Sequence, residues 1–165
     1  MTNTLTTLNE SAKDRLQTYL RDHGVCFTLR HHALAFTAQQ VAACECISAD
    51  QLAKPVVMTA GGRTLMLVLP ASYVVDIHKV AEVLGATDVH LVHEADFGHI
   101  FPDCEVGALS PFGNLYGLEV YVDRAITRDA HIECRAGTHT DTLGIAYADF
   151  ARLVQPKIVD VARHH

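Results

Sequence analysis

The 165-residue chain has no block of like charge, no low-complexity run and no long apolar stretch. Its longest nearly uninterrupted apolar run, Leu65–Leu69, falls far short of the roughly 20 residues that a membrane-crossing helix needs. The first ten residues, M-T-N-T-L-T-T-L-N-E, lack the basic start and apolar core of a secretory signal. No membrane contact and a cytoplasmic location are the resulting expectations. Lys/Arg clusters are also missing, and the formal charge is −6 with histidines neutral. Phosphate neutralisation supplies much of the affinity for nucleic acid. A long footprint on DNA is therefore excluded, and any nucleic-acid contact must be small, such as one strand end.

Catalytic signatures are equally scarce. Ser11, Ser48, Ser72 and Ser110 all lie outside a Gly-x-Ser-x-Gly setting. There is no Gly-x-x-x-x-Gly-Lys-Ser/Thr loop, no Gly-x-Gly-x-x-Gly and no His-Glu-x-x-His. Nucleotide-driven and zinc-peptidase chemistry have no support, and no cofactor is implied. The five cysteines, Cys26, Cys44, Cys46, Cys104 and Cys134, are odd in number and scattered, which favours reduced thiols over a disulfide framework. Cys44-Glu45-Cys46 has the wrong spacing for a structural zinc half-site and no second half follows, so no metal is expected.

What is present is an ordered globular composition, 49% hydrophobic and 19% charged, at a length suited to one domain over residues 1–165. Asn9 to about His23 has apolar residues at helical spacing and Gly24 as a stop. Val25–Arg30 reads as a strand. Thr37-Ala-Gln-Gln40 is a capping box opening a short helix through about Cys44. Leu52–Ala60 and Thr64–Leu69 form a hairpin around Gly61-Gly62. Asp76 caps a helix that Gly85 ends. Asp88–Val92, Leu118–Val122 and His131–Arg135 read as strands, Glu94–Phe101 as a short helix, and Tyr147–Val154 as the last helix. A mixed, mainly antiparallel curved and barrel-like sheet with flanking helices is the expected architecture.

Two features carry chemistry. Glu105–Gly117, E-V-G-A-L-S-P-F-G-N-L-Y-G, is too rich in glycine and proline for a helix and too apolar for a linker. It predicts an ordered loop whose backbone can approach a ligand at Gly107 and Gly113. A hairpin connection with an apolar underside is the plain alternative. Lys54 stands at the start of an apolar strand, where a lysine either snorkels outward or sits as a fixed cation at a pocket edge. With His139 and its neighbouring hydroxyls as proton handlers, this inventory suits hydrolysis of an activated ester by a positioned water, with backbone donors stabilising the oxyanion. His139 is equally readable as an ordinary loop histidine.

The order A-K-P-V-V-M, G-A-L-S-P-F-G, A-G-T-H-T-D-T-L-G-I-A-Y-A-D-F-A-R-L resembles the YbaK group, free-standing relatives of the editing domain inserted in bacterial prolyl-tRNA synthetases. The likeness spans about residues 25–155 and is most specific in Gly107-Ala-Leu-Ser-Pro111 placed after Lys54. It implies hydrolysis of the ester of mischarged aminoacyl-tRNA, with the tRNA 3′ end as partner and an aminoacyl-tRNA synthetase as a second. It also implies that Lys54, Gly107 and His139 serve catalysis while Ser110, Pro111, Phe112, Gly113 and Thr142 line the substrate pocket. The family uses a residue somewhere in the window His139–Thr142, and its identity varies between subgroups. Many relatives have Lys-Thr or Lys-Asn where this chain has Lys54-Pro55. That departure, with the acidic balance, keeps open a non-catalytic module binding a nucleotide, an aminoacyl group or a protein.

Overall fold

The computed structural model describes residues 11–35, 37, 40, 41, 48–105 and 107–164. Helix α1, Ala12–Asp22, begins where Ser11 accepts a hydrogen bond from the Asp14 N–H, and it buries Ala12, Leu16 and Leu20. The apolar stripe at three- and four-residue spacing is thus the face against the sheet. Thr37 and Gln40 bond reciprocally, side chain to backbone, at 3.0 and 3.2 Å. That is the expected capping box; the rest of that helix, with Cys44 and Cys46, lies outside the described residues.

The strands are β1 Phe27–His31, β2 Leu52–Ala60, β3 Arg63–Pro70, β4 Tyr73–Val75, β5 Val89–Leu91, β6 Glu119–Asp123, β7 His131–Arg135, β8 Asp141–Ala146, β9 Lys157–Val159 and β10 Ala162–His164. Helices α2 Ile77–Leu84, α3 Phe97–Ile100 and α4 Tyr147–Val154 are inserted singly. Seven strands run in the order β1-β8-β7-β2-β3-β6-β9, β5 adds to β2, and β4 pairs with β10 in a separate ribbon. Five pairings are antiparallel; β2–β7, β3–β6 and β6–β9 are parallel. The sheet is mixed and mainly antiparallel, and among the described residues it stays open between β1 and β9. The local spacing of strands predicted hairpins well, and the parallel pairings are what it did not reveal. Among the described residues no helix is long and apolar enough to cross a membrane.

The hairpin β2–β3 is central to both apolar layers. Val57, Met66 and Val68 face one core with Phe112 and Phe150, while Met58, Leu65, Leu67 and Leu69 face the other with Val80 and Tyr121. Side chains alternate across a strand, so both faces of this hairpin are covered. Gly61 and Gly62 take φ of 58° and 80°, the double positive φ that a tight two-residue turn requires.

A gap in this sheet positions the site. On the side of β2 away from β3, β7 pairs only with Leu52 and Ala53, and β5 only with Met58–Ala60. Lys54 to Val56 lie between, on an edge with no strand partner among the described residues. Counting from the closing pair Ala60–Arg63, bonded and non-bonded pairs alternate, which puts Pro55–Val68 at a non-bonded position. The nitrogen of Pro55 therefore faces the gap, and the proline costs the β2–β3 ladder nothing.

Candidate functional site

A cavity of about 380 Å³ occupies this gap, and its lining includes Lys54, Pro55, Phe97, Gly107, Leu109 and Arg135. Lys54 is half-buried and its Nζ donates to the Tyr73 carbonyl at 2.9 Å. Among the described residues no carboxylate pairs with it. Burial pushes its pKa below the usual 10.5, because desolvation disfavours the charged amine. Among the described residues no carboxylate lines the cavity, so a charged Lys54 is electrostatically available to an anionic or oxyanionic group.

The second wall is the glycine-proline loop. Gly107 is exposed at φ +82°, a conformation that L side chains rarely adopt. From Ala108 to Gly113 the chain is buried. Arg15 of α1 holds the loop at both ends: Nη1 lies 3.5 Å from Asp103 Oδ2 and Nη2 donates to the Leu115 carbonyl. Tyr116 donates to Asp103 at 2.8 Å, and the Arg15 guanidinium sits 4.8 Å over its ring. This anchoring presents Gly107 to the cavity on a fixed base. Cys104 within it has its pKa pushed up to about 11, first by burial, which makes it a poor thiolate nucleophile.

The remaining predicted residues are placed unevenly. Lys54 and Gly107 share the cavity. His139 stands behind Gly107: its Cε1 lies 3.7 Å from where a Cβ on that glycine would sit. The His139 N–H donates to Glu105 Oε2 at 3.0 Å, and its Nε2 lies 3.9 Å from the same oxygen. Ser110, Pro111, Phe112 and Gly113 run into the interior; Phe112 is fully buried, with its ring edge-on to Phe150 at 5.3 Å. Thr142 is fully buried on β8, paired with Arg135 on one side and Arg30 on the other. None of these five borders the cavity. Asp141 organises the loop instead: it accepts from Thr138, lies 3.2 Å from His31 Nδ1 and 3.8 Å from Lys13 Nζ.

Sequence reasoning missed Arg135. This arginine is 6% exposed and lines the cavity one register step beyond the Ala53–Cys134 pair. Its signal was faint: Ile132 and Cys134 alternate into the core, so a charged residue on the opposite face, like Glu133 before it, reads as surface in the sequence although both are buried. Only the gap beside β2 makes that opposite face a pocket wall.

The open sheet and flanking helices define an α/β fold that other solved structures share. The hypothetical protein APE2540 superposes with a TM-score of 0.81 at 16% identity, over 90% of this chain and 99% of that one. A protein described as a candidate trans-editing enzyme for prolyl tRNA synthetase superposes at 0.79 with 15% identity, over 92% and 97%. The chain belongs to the aminoacyl-tRNA editing domain family, whose model matches residues 32–153. It is also 29% identical over 125 residues to a proline–tRNA ligase of Thiobacillus denitrificans (strain ATCC 25259 / T1), covering 74% of this chain and about a fifth, 21%, of the ligase.

Proposed function

We propose that the protein, as a single editing domain over residues 1–165, hydrolyses the ester of mischarged aminoacyl-tRNA in trans. The observation carrying this is the meeting of Lys54, which has no carboxylate partner among the described residues, and the Gly107 backbone in one cavity. Lys54 holds the terminal adenosine or its phosphate. Gly107 and the following backbone position the ester carbonyl and a water, with a ribose hydroxyl of the substrate assisting. The cavity is small and the chain acidic, which fits recognition of the 3′ terminal nucleotide rather than a long duplex. A synthetase partner supplies any further tRNA contact. His139 reaches the chemistry through Gly107 and Glu105, as a proton carrier or as support for the loop. Loss of the backbone donor at Pro55 falls on the cavity edge and bears on which acyl group is accepted.

The test is a panel of tRNAs carrying alanyl, cysteinyl, seryl and threonyl esters. At least one is cleaved well above the buffer rate by the wild type, and Lys54→Ala abolishes that cleavage while the protein stays folded. Absence of cleavage across the panel, with binding of a nucleotide or protein retained in Lys54→Ala, would establish the non-catalytic module instead.

A further inference from the structure

We infer that Arg135 is a positioning residue that locks the Gly107–Ala108 peptide plane of the cavity wall; this rests on the deacylase reading above. The guanidinium Nη1 donates to the Gly107 carbonyl. At the other end of the same peptide, the Ala108 N–H donates to the Glu105 carbonyl at 3.0 Å. The plane is thus held from both sides. A glycine at φ +82° has no Cβ to resist rotation of its neighbouring peptides, so an unheld plane could turn its carbonyl into the cavity. Arg135 draws that carbonyl onto a fixed cation.

The clamp is built into the fold rather than laid on its surface. Arg135 ends β7, where Cys134 pairs with Ala53 in parallel register and Thr142 of β8 pairs with Arg135 itself. The arginine backbone is therefore fixed by β8 on one side, one residue past the last β2 pair on the other. Arg135 is 6% exposed; burial lowers its guanidinium pKa below the ordinary arginine value, and an arginine stays charged in proteins. A charge-assisted bond from a desolvated guanidinium is stronger than a neutral one, and its planar geometry cannot be copied by an ammonium. A misplacement of about 1 Å at a reacting centre can cost around a hundredfold in rate, which sets the size of the expected effect.

Arg135→Lys and Arg135→Ala are compared with wild type on the ester that the panel identifies. The expected result is a fall in kcat of about a hundredfold with KM within threefold. Methylguanidine added at millimolar concentration restores a measurable part of the Arg135→Ala rate, while methylamine does not. The backbone carbonyl ¹³C resonance of Gly107 moves in both variants. An unchanged kcat, a loss confined to KM, or a Gly107 resonance that stays in place would each overturn the inference. Should Arg135→Ala fail to fold, Arg135→Lys with the Gly107 resonance decides it. A wild type that cleaves no ester removes the deacylase reading, and the resonance alone then decides whether Arg135 holds the Gly107 peptide.

Discussion

Gly107 and Gly113 lie in one loop and answer to different constraints. At Gly107 a Cβ would find ordinary room, 3.7 Å from His139, and the obstacle is the positive φ. Gly107→Ala is expected to cost about 1–2 kcal/mol of stability and at least tenfold in ester cleavage, because the wall of the cavity turns. At Gly113 a Cβ would meet Val120 Cγ2 at 2.9 Å and Met66 Sδ at 3.1 Å. Gly113→Ala is expected to lose about 1–3 kcal/mol by overpacking while the folded fraction keeps its turnover. Urea titrations beside rate measurements separate the two. Lys54 adds a pH signature. Since burial lowers its pKa below 10.5, the charged form fades as pH rises through that lowered value. Cleavage corrected for spontaneous hydrolysis should fall there, and Lys54→Arg should carry the fall to higher pH if it remains active.

The short strands β4 and β10 do more for the site than their length suggests. β4 supplies the Tyr73 carbonyl that holds Lys54, and β10 pairs with β4 from Ala162 to His164. Asp123, at the end of β6 and 2% exposed, accepts from the N–H groups of Ala125, Val161 and Ala162 at 2.9–3.0 Å. The carboxylate thus fastens the entry to β10 onto the main sheet. Asp123→Ala leaves three buried donors without it and is expected to destabilise the protein by roughly 3 kcal/mol. Hydrogen exchange should show the amides of Val161 and Ala162 losing protection together. Neither strand was legible beforehand. A three-residue segment has too few residues to show alternation, and its partner stands far away in the chain. Helix α2 was legible to the residue, because Asp76 accepts from the His78 and Lys79 N–H groups and Gly85 takes φ 61°, all local geometry.

The molecule as a whole ties the cavity to its acid stability through Asp141, which links β1, α1 and the 138–141 loop. Burial on its own would raise the Asp141 pKa, yet the bonds from Thr138 and His31 and the charge of Lys13 bring it below the ordinary 3.8. A folded value below the unfolded one means stability that is complete above the unfolded pKa and lost as pH falls through the folded one. Melting temperatures between about pH 5 and pH 2 should therefore drop, and Asp141→Asn should be less stable at neutral pH with a flatter acid limb. The same loop carries His139 to the back of Gly107, so its loosening should lower cleavage before the sheet melts.

The chain by itself determined where the helices lie, the Thr37–Gln40 capping box and the Asp76 and Gly85 caps of α2, the Gly61-Gly62 hairpin, Lys54 on a strand and an ordered loop from Gly107 to Gly113. Each depends on residues adjacent in sequence, through propensity, periodicity and turn chemistry. The tertiary structure decided that β2 changes partner from β7 to β5 and leaves a gap, that Arg135 rather than Thr142 borders it, and that Ser110–Gly113 turn inward to the core. Those outcomes depend on which distant strands pair and in what register, and a one-residue change of register would exchange wall for core.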